Sequence, residues 1–402
     1  MYYTCSVRVL WRVTPLMRRL RKLVLVTGPA LVAAIALSMI AVEVWVRLRW
    51  DDRRGVPGFY ISDPELGQRL APNYDGWFAG VPVHVNSLGF RDSRDYSVEK
   101  PPNTFRILVM GDSVTFGHGA LSDTTYPYLL EQRLKEWRAD TNWEVWNLGV
   151  PGYNTTTELK YLGRVGPRYQ PDLVVIGFYE NDLADNDVPT DASLRRRVTS
   201  AIQGAMQRWL YSYELYKRIL LTLRWQFSDD APLRARLEAT EAEETARPTI
   251  AEDPSLRLSD AERFTEPHSC LEMDRNPNRD RLAAHLNDAT PTMVKWREAV
   301  AELQRLHRDG VYRIAFFINM APNECPGVDR FYDGGAVADE DALVAMLGKG
   351  TPAGGTVRAF LPYRPSQMPG ARGHSAGNAN RVKADALFEL LVSSGAVPGA
   401  GR

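Results

Sequence analysis

Apolar and polar positions along the chain change period repeatedly after residue 100. RILVM (Arg106–Met110) is a continuous apolar run, as in a strand covered on both faces. Tyr126–Trp137 then reads as a helix, Trp143–Leu148 as a second strand and Thr155–Val165 as a second helix. LVVIGFY (Leu173–Tyr179) is a third apolar run. Met293–Leu306 reads as a helix with Pro291 near its start, and YRIAFFI (Tyr312–Ile318) as a fourth strand. A last helix spans Asn378–Val392, with Val382, Leu387, Leu390 and Leu391 among its apolar positions. Alternation of this kind predicts an α/β fold, a doubly wound parallel sheet of about five strands with helices on both faces. Sites in such sheets lie at the carboxyl ends of the strands.

Three stretches depart from that rhythm. Leu23–Val42 is apolar and uncharged. At ~1.5 Å per residue it spans roughly 30 Å, the thickness of a bilayer core. It exceeds the ~7–15 residues of a signal-peptide core, and no small-residue cleavage pattern follows. Trp45 and Trp50 suit an interface, and Glu43 pairs with Arg47 one turn on. Upstream stand Arg8, Arg12, Arg18, Arg19, Arg21 and Lys22; downstream stand Arg47, Arg49, Arg53 and Arg54. The bias predicts a cytoplasmic N-terminus (1–22), a transmembrane helix (23–42) and the remainder outside the cytoplasm, in the periplasm or extracellular; a cleaved signal peptide and a buried helix are the other readings of the run. Residues 51–100, rich in Pro, Gly and aromatics, predict a linker with a short strand where Val81, Val83 and Val85 alternate with Pro82 and His84. It should pack on the main domain, 101–396. An insertion, 187–290, interrupts that domain. Its first part places Ile202, Met206, Leu210, Tyr213, Tyr216, Leu220 and Leu223 at helical spacing, opposite Arg208, Lys217, Arg218 and Arg224 and after Arg195, Arg196 and Arg197. The pattern predicts a helix packed on the domain by its apolar side. A helix lying on a membrane, or a lid, is the other reading. Its second part, Ser228–Ser259, is polar and acidic and reads as loosely packed surface.

Composition narrows the chemistry. Lys+Arg and Asp+Glu both number 49, so no charge excess argues for nucleic acid. The three cysteines, Cys5, Cys270 and Cys325, have no metal spacing, and no metal or organic cofactor is implied. Cys270 and Cys325 are one disulfide in an oxidising compartment or two buried thiols, and both readings stand.

The densest signal is ILVMGDSVTFGHG (Ile107–Gly119), where a buried strand runs into Gly111-Asp112-Ser113. Glycine permits a tight turn that leaves the serine at the sheet's carboxyl edge, and Asp112 suits a helix cap. NLGVPGYNT (Asn147–Thr155) follows the second strand, GFYENDLAD (Gly177–Asp185) the third, and GHSAGNANRVKAD (Gly373–Asp385) precedes the last helix. A serine hydroxyl needs a base, and histidine titrates in the right range.

These four blocks, in this order between Arg106 and Val392, resemble the SGNH, or GDSL-type, serine hydrolases. The linker, with its LG, PN and NSxGFRD signatures, resembles that of membrane-anchored bacterial members. The resemblance implies a flavodoxin-like SGNH fold and an acyl-serine mechanism. It assigns Ser113 as nucleophile, Gly152 and Asn181 as oxyanion donors through a backbone N–H and a side-chain amide, and His374 as general base. It implies an acyl or acetyl esterase acting on acylated small molecules, glycans or lipids. An O-acyltransferase modifying a polysaccharide and a non-catalytic glycan- or lipid-binding protein on the same fold are the rivals.

One position departs from the pattern. Family members carry an aspartate three residues before the histidine, where this chain has Ala371, followed by Arg372. Four explanations stay open. A carboxylate such as Asp329, Asp333, Asp339 or Asp341 reaches His374; a backbone carbonyl orients it; His374 is not the base; or the protein is inactive. His118 is the other histidine near Ser113 and reads as a loop-shaping or substrate-contacting residue. Asp182 reads as a loop stabiliser.

Overall fold

The computed structural model describes residues 23–50, 57–183, 186, 193–213, 215–216, 219–220, 223, 286–320, 335–356, 359 and 374–399. Cys5, Cys270, Cys325 and Ser228–Ser259 lie outside them.

The chain enters through a helical turn, Leu23–Thr27, and a long helix α1 (Gly28–Arg49). Leu25–Arg49 is long and apolar enough to cross a membrane, and none of its most apolar stretch is buried in protein. Helix therefore continues past the apolar run read from the sequence, carrying Glu43 and Arg47, whose side chains pair at 2.6 Å.

Two antiparallel hairpins follow: β1 (Tyr60–Asp63) with β2 (Gly67–Leu70), and β3 (Asp75–Phe78) with β4 (Val81–His84). The Val81 alternation thus forms a strand, with Val81 and Val83 buried. Both hairpins pack inward through an aromatic cluster. Phe59 stacks on Phe78 at 3.9 Å, and both rings meet Phe116 edge-on.

The main domain then winds through β5 (Thr104–Gly111), a single turn α2 (Ser113–Phe116), α3 (Tyr126–Trp137), β6 (Asn142–Gly149), α4 (Thr155–Tyr169) and β7 (Leu173–Phe178). An insertion helix α5 (Leu194–Trp209) comes next. The chain returns through α6 (Pro291–Arg308), β8 (Ile314–Ile318), α7 (Gly335–Leu347), β9 (Ala353–Gly355) and α8 (Asn378–Ser393). The five strands lie in the order β6-β5-β7-β8-β9, and every pairing is parallel. This is the flavodoxin-type order, with its switch point between β5 and β7.

Period-two alternation sorts the core into two layers. Leu108 and Met110 of β5 pack with Leu162 and Val165 of α4 and with Trp296, Val300 and Leu303 of α6. Ile107 and Val109 face the other way, toward Leu130 and Leu134 of α3 and Leu387 and Leu391 of α8. Helices on both faces are what the unbroken apolar strands required.

Candidate active site

Gly111, the last residue of β5, pairs with Gly149 and with Gly177. This row of glycines lets the following loops close down on the sheet edge. A Cβ on Gly149 would fall 2.2 Å from the Phe116 backbone nitrogen. Asp112 caps α2 by accepting the Val114 N–H at 2.8 Å. Gly117 ends the turn in the left-handed region at φ 84°, giving its N–H to Ser113 and Val114 carbonyls. Ser113 is thereby held half-buried at the carboxyl edge of the central strand.

His374 arrives from the far end of the chain. Its Nε2 lies 2.7 Å from Ser113 Oγ, the separation a base needs to take the hydroxyl proton. Two side chains tie its helix to the site. Asn380 donates to the Thr124 carbonyl at 2.9 Å, and buried Lys383 donates to the Asn319 carbonyl at 3.3 Å. His118 lies alongside, its ring centroid 4.6 Å from that of His374 and 5.2 Å from that of Phe78. Ala371, Arg372, Asp329 and Asp333 lie outside the described residues, as does the Asp339 side chain; Asp341 is exposed on α7.

Asn181 sits on the turn Glu180–Leu183 beyond β7, exposed, with its side-chain amide bonded to the Asp112 carboxylate. Gly152 sits on the turn beyond β6 at φ 86°. That turn is held twice: the Val150 N–H donates to the Gly111 carbonyl at 2.9 Å, and Gln68 Nε2 of β2 donates to the Pro151 carbonyl at 2.9 Å. The structure thus joins Ser113 and His374 directly, links Asn181 to them through Asp112, and brings the Gly152 turn to the same strand end.

Two supports escaped the reading of the sequence. Gln68 braces the Gly152 turn and accepts the Tyr153 hydroxyl at 2.7 Å. Arg91 is buried beneath the loop that follows Ser113, donates to the Phe116, Gly117 and Ala120 carbonyls, and lies 4.4 Å over the Phe116 ring. The only signal for Arg91 was its place in NSLGFRD.

Behind the site lie three fully buried acids. Burial pushes Asp112 up, against the opposing pull of the Val114 N–H, His374, Asn181 and Ser113. Glu158 of α4, neither of whose oxygens has a hydrogen-bond partner, is held well above the usual carboxylate range by burial and by Asp112. Asp182 is raised by burial, then by Glu158 and Asp112, although it accepts the Tyr179 N–H at 3.2 Å and the Thr155 hydroxyl at 3.4 Å. Asp182 thus binds the Asn181 turn to α4. No group of His, Cys, Asp and Glu able to hold a metal occurs among the described residues.

An acid raised in the fold keeps its proton where the unfolded chain has lost it. Glu158 therefore lends most stability below the unfolded carboxylate range, and that contribution is lost as pH rises toward its folded value. Glu158→Gln, which cannot ionise, should show a Tm advantage that is absent near pH 4 and widens toward pH 9. About 1 kcal/mol would read as ~2–4 °C in a domain of this size. A variant whose difference from the parent is flat with pH would show that Glu158 is ionised in the fold.

A serine and a histidine within hydrogen-bonding distance at the switch point of a parallel sheet are the pair that a serine hydrolase site requires. Residues 109–290, a little under half of the chain, match the model of the GDSL-like lipase/acylhydrolase family, and the match supports a serine ester hydrolase. The match ends before β8 and His374. No curated protein matches the sequence. Among solved structures, an acetyl-xylooligosaccharide esterase variant from Geobacillus is 12% identical, covering 74% of this chain and 97% of its own at a TM-score of 0.33. A lipase from a goat rumen metagenome is 14% identical, covering 71% and 97% at 0.33. A carbohydrate esterase family 2 enzyme with a carbohydrate-binding domain, from Corynascus, is 13% identical, covering 76% and 70% at 0.34.

Proposed function

We propose that this chain is an extracytoplasmic ester hydrolase, anchored by α1, that cleaves acyl or acetyl esters of glycans or lipids through an acyl-Ser113 intermediate. The observation that carries the reading is the 2.7 Å contact between Ser113 Oγ and His374 Nε2. His374 takes the hydroxyl proton as Ser113 attacks the ester carbonyl, then returns it to the departing alcohol. The carbonyl oxygen becomes an oxyanion, met by the N–H groups of Ser113 and Gly152 and by the Asn181 amide. Asn181 has two N–H donors, so bonding to Asp112 leaves one for the substrate. Each oxyanion donor contributes ~3–4 kcal/mol to lowering the barrier. Water, activated by the same histidine, then frees the acid and restores Ser113.

The purified full-length chain should hydrolyse p-nitrophenyl acetate, and a serine-reactive phosphonate should label the Ser113 peptide stoichiometrically. Neither turnover nor labelling would leave a binding protein on a hydrolase fold. Acyl transfer to an added oligosaccharide in preference to water would make it a transferase.

Location rests on the apolar span Leu25–Arg49 and on the basic residues before it. The chain should resist alkaline carbonate extraction from membranes, and protease added to spheroplasts should digest the hydrolase domain. A domain protected until lysis would reverse the orientation.

A further inference from the structure

The insertion helix α5 keeps one apolar stripe off the domain, although Met206 and Leu210, on the side that its periodicity marked for packing, are half-buried. It rests on β1 through its other side, where Gly204 abuts Ser62, and the Arg208 backbone abuts Gly58. Leu194 (76%), Val198 (49%), Ile202 (57%) and Trp209 (64%) are exposed, as are Ala201 and Ala205. At ~100° per residue these six positions fall within roughly a 100° arc, one continuous apolar stripe. Exposed Arg195 borders the stripe on one side, and exposed Arg197 and Arg208 border it on the other. The helix LRRRVTSAIQGAMQRW contains no acidic residue.

The position of α5 relative to α1 supplies the second observation. The chain leaving α5 is pinned to the end of the apolar span. Glu43 accepts the Tyr211 N–H at 3.1 Å, the Ser212 N–H at 2.9 Å and the Ser212 hydroxyl at 2.6 Å. Arg47 donates to the Trp209 carbonyl at 2.6 Å and lies 4.7 Å over the Tyr211 ring. Trp50 meets Tyr211 edge-on at 5.7 Å. The C-terminal end of α5 is thereby held against the last turns of α1. Trp45, also exposed, stands at the same level. Tryptophan and arginine are the residues that suit a headgroup layer.

We propose that α5 lies in the interface of an anionic phospholipid bilayer, its Leu194–Trp209 stripe against the acyl chains and its arginines among the phosphates. The proposal rests on α1 being a membrane anchor. A single spanning helix leaves a domain free to swing, whereas a second contact beside it fixes the height and tilt of the hydrolase domain over the membrane. Neither contact involves the catalytic loops.

The test uses the full-length chain in vesicles, with Cys5, Cys270 and Cys325 replaced by serine and esterase turnover confirmed. Spin labels are placed singly through Ile35→Cys, Ile202→Cys and Val311→Cys; Val311 is 54% exposed on the domain, away from the stripe. Accessibility to oxygen and to a polar nickel chelate is measured in phosphatidylethanolamine/phosphatidylglycerol vesicles. The expected order is hydrocarbon at Ile35, interface at Ile202 and water at Val311. Arg195→Glu with Arg197→Glu should return the Ile202 label to water and leave Ile35 unchanged. An Ile202 label as aqueous as Val311, with Ile35 in hydrocarbon, would overturn the proposal while the anchor stands. Aqueous readings at both Ile35 and Ile202 would remove the anchor and the proposal together. Mutual broadening of Ile202 labels would assign the stripe to a second copy of this chain. A depth indifferent to lipid charge and to the two reversals would overturn the anionic-lipid assignment.

Discussion

Ser113→Ala should lower turnover of an acyl ester by ~10³–10⁶-fold while leaving KM within a small factor. The size follows from what is removed. In the proposed mechanism Ser113 Oγ is the atom that bonds to carbon in the intermediate, and its contacts are His374 Nε2 at 2.7 Å and Asp112 at 3.3 Å. Residual rate over water would come from the remaining oxyanion donors and from substrate binding. The fold should be indifferent, because the cap on α2 is made by the Asp112 side chain and by backbone groups. Tm and circular dichroism are the controls. An alanine variant that turns over at the parental rate would place the nucleophile elsewhere.

The scaffold behind that prediction was legible where burial alone decides structure. Ile107–Met110 of β5, and β7 and β8, are unbroken apolar runs because helices cover both faces, and the alternation of strand and helix left parallel pairing as the natural arrangement. β9 escaped notice. Its three residues, Ala353–Gly355, carry no branched or aromatic side chain, and they form a strand because the Phe316–Ile318 edge offers them partners. Ser113 was legible from a buried strand breaking at glycine, but His374 was not visible in any local pattern. Only the resemblance joined two residues 261 positions apart. Gln68 and Arg91 were illegible for a different reason. Their partners are backbone carbonyls, which every residue carries, so nothing in the sequence marks where such a bond will end. The α5 stripe shows the same limit: period reveals an amphipathic helix, and only tertiary contact reveals which side faces the protein.

His374→Ala should be as damaging as Ser113→Ala, and the two losses should not add. In the proposed mechanism both residues serve one proton transfer, so once either is gone the other has little left to contribute. The harder question is what holds the ring. Nε2 faces Ser113, so Nδ1 must carry the hydrogen and give it to an acceptor, or the ring spends time in the wrong tautomer. Replacing the acceptor aspartate by asparagine in a well-studied serine protease triad costs about 10⁴-fold for this reason. Ala371 cannot fill that role. The segment after β8 is the place to look for a substitute, because it leaves the same sheet edge and holds Asp329 and Asp333, with Asp339 and Asp341 on α7 beyond it. Each is replaced singly by asparagine, and turnover is followed against pH. A loss of about 10⁴-fold at one position, with normal phosphonate-accessible folding elsewhere, would identify an orienting carboxylate. Four neutral replacements beside an inactive His374→Ala would assign Nδ1 to a backbone carbonyl and make the site a Ser–His dyad. If His374→Ala kept full activity, the base would be another group, and His118, whose ring lies against that of His374, would be the next to replace.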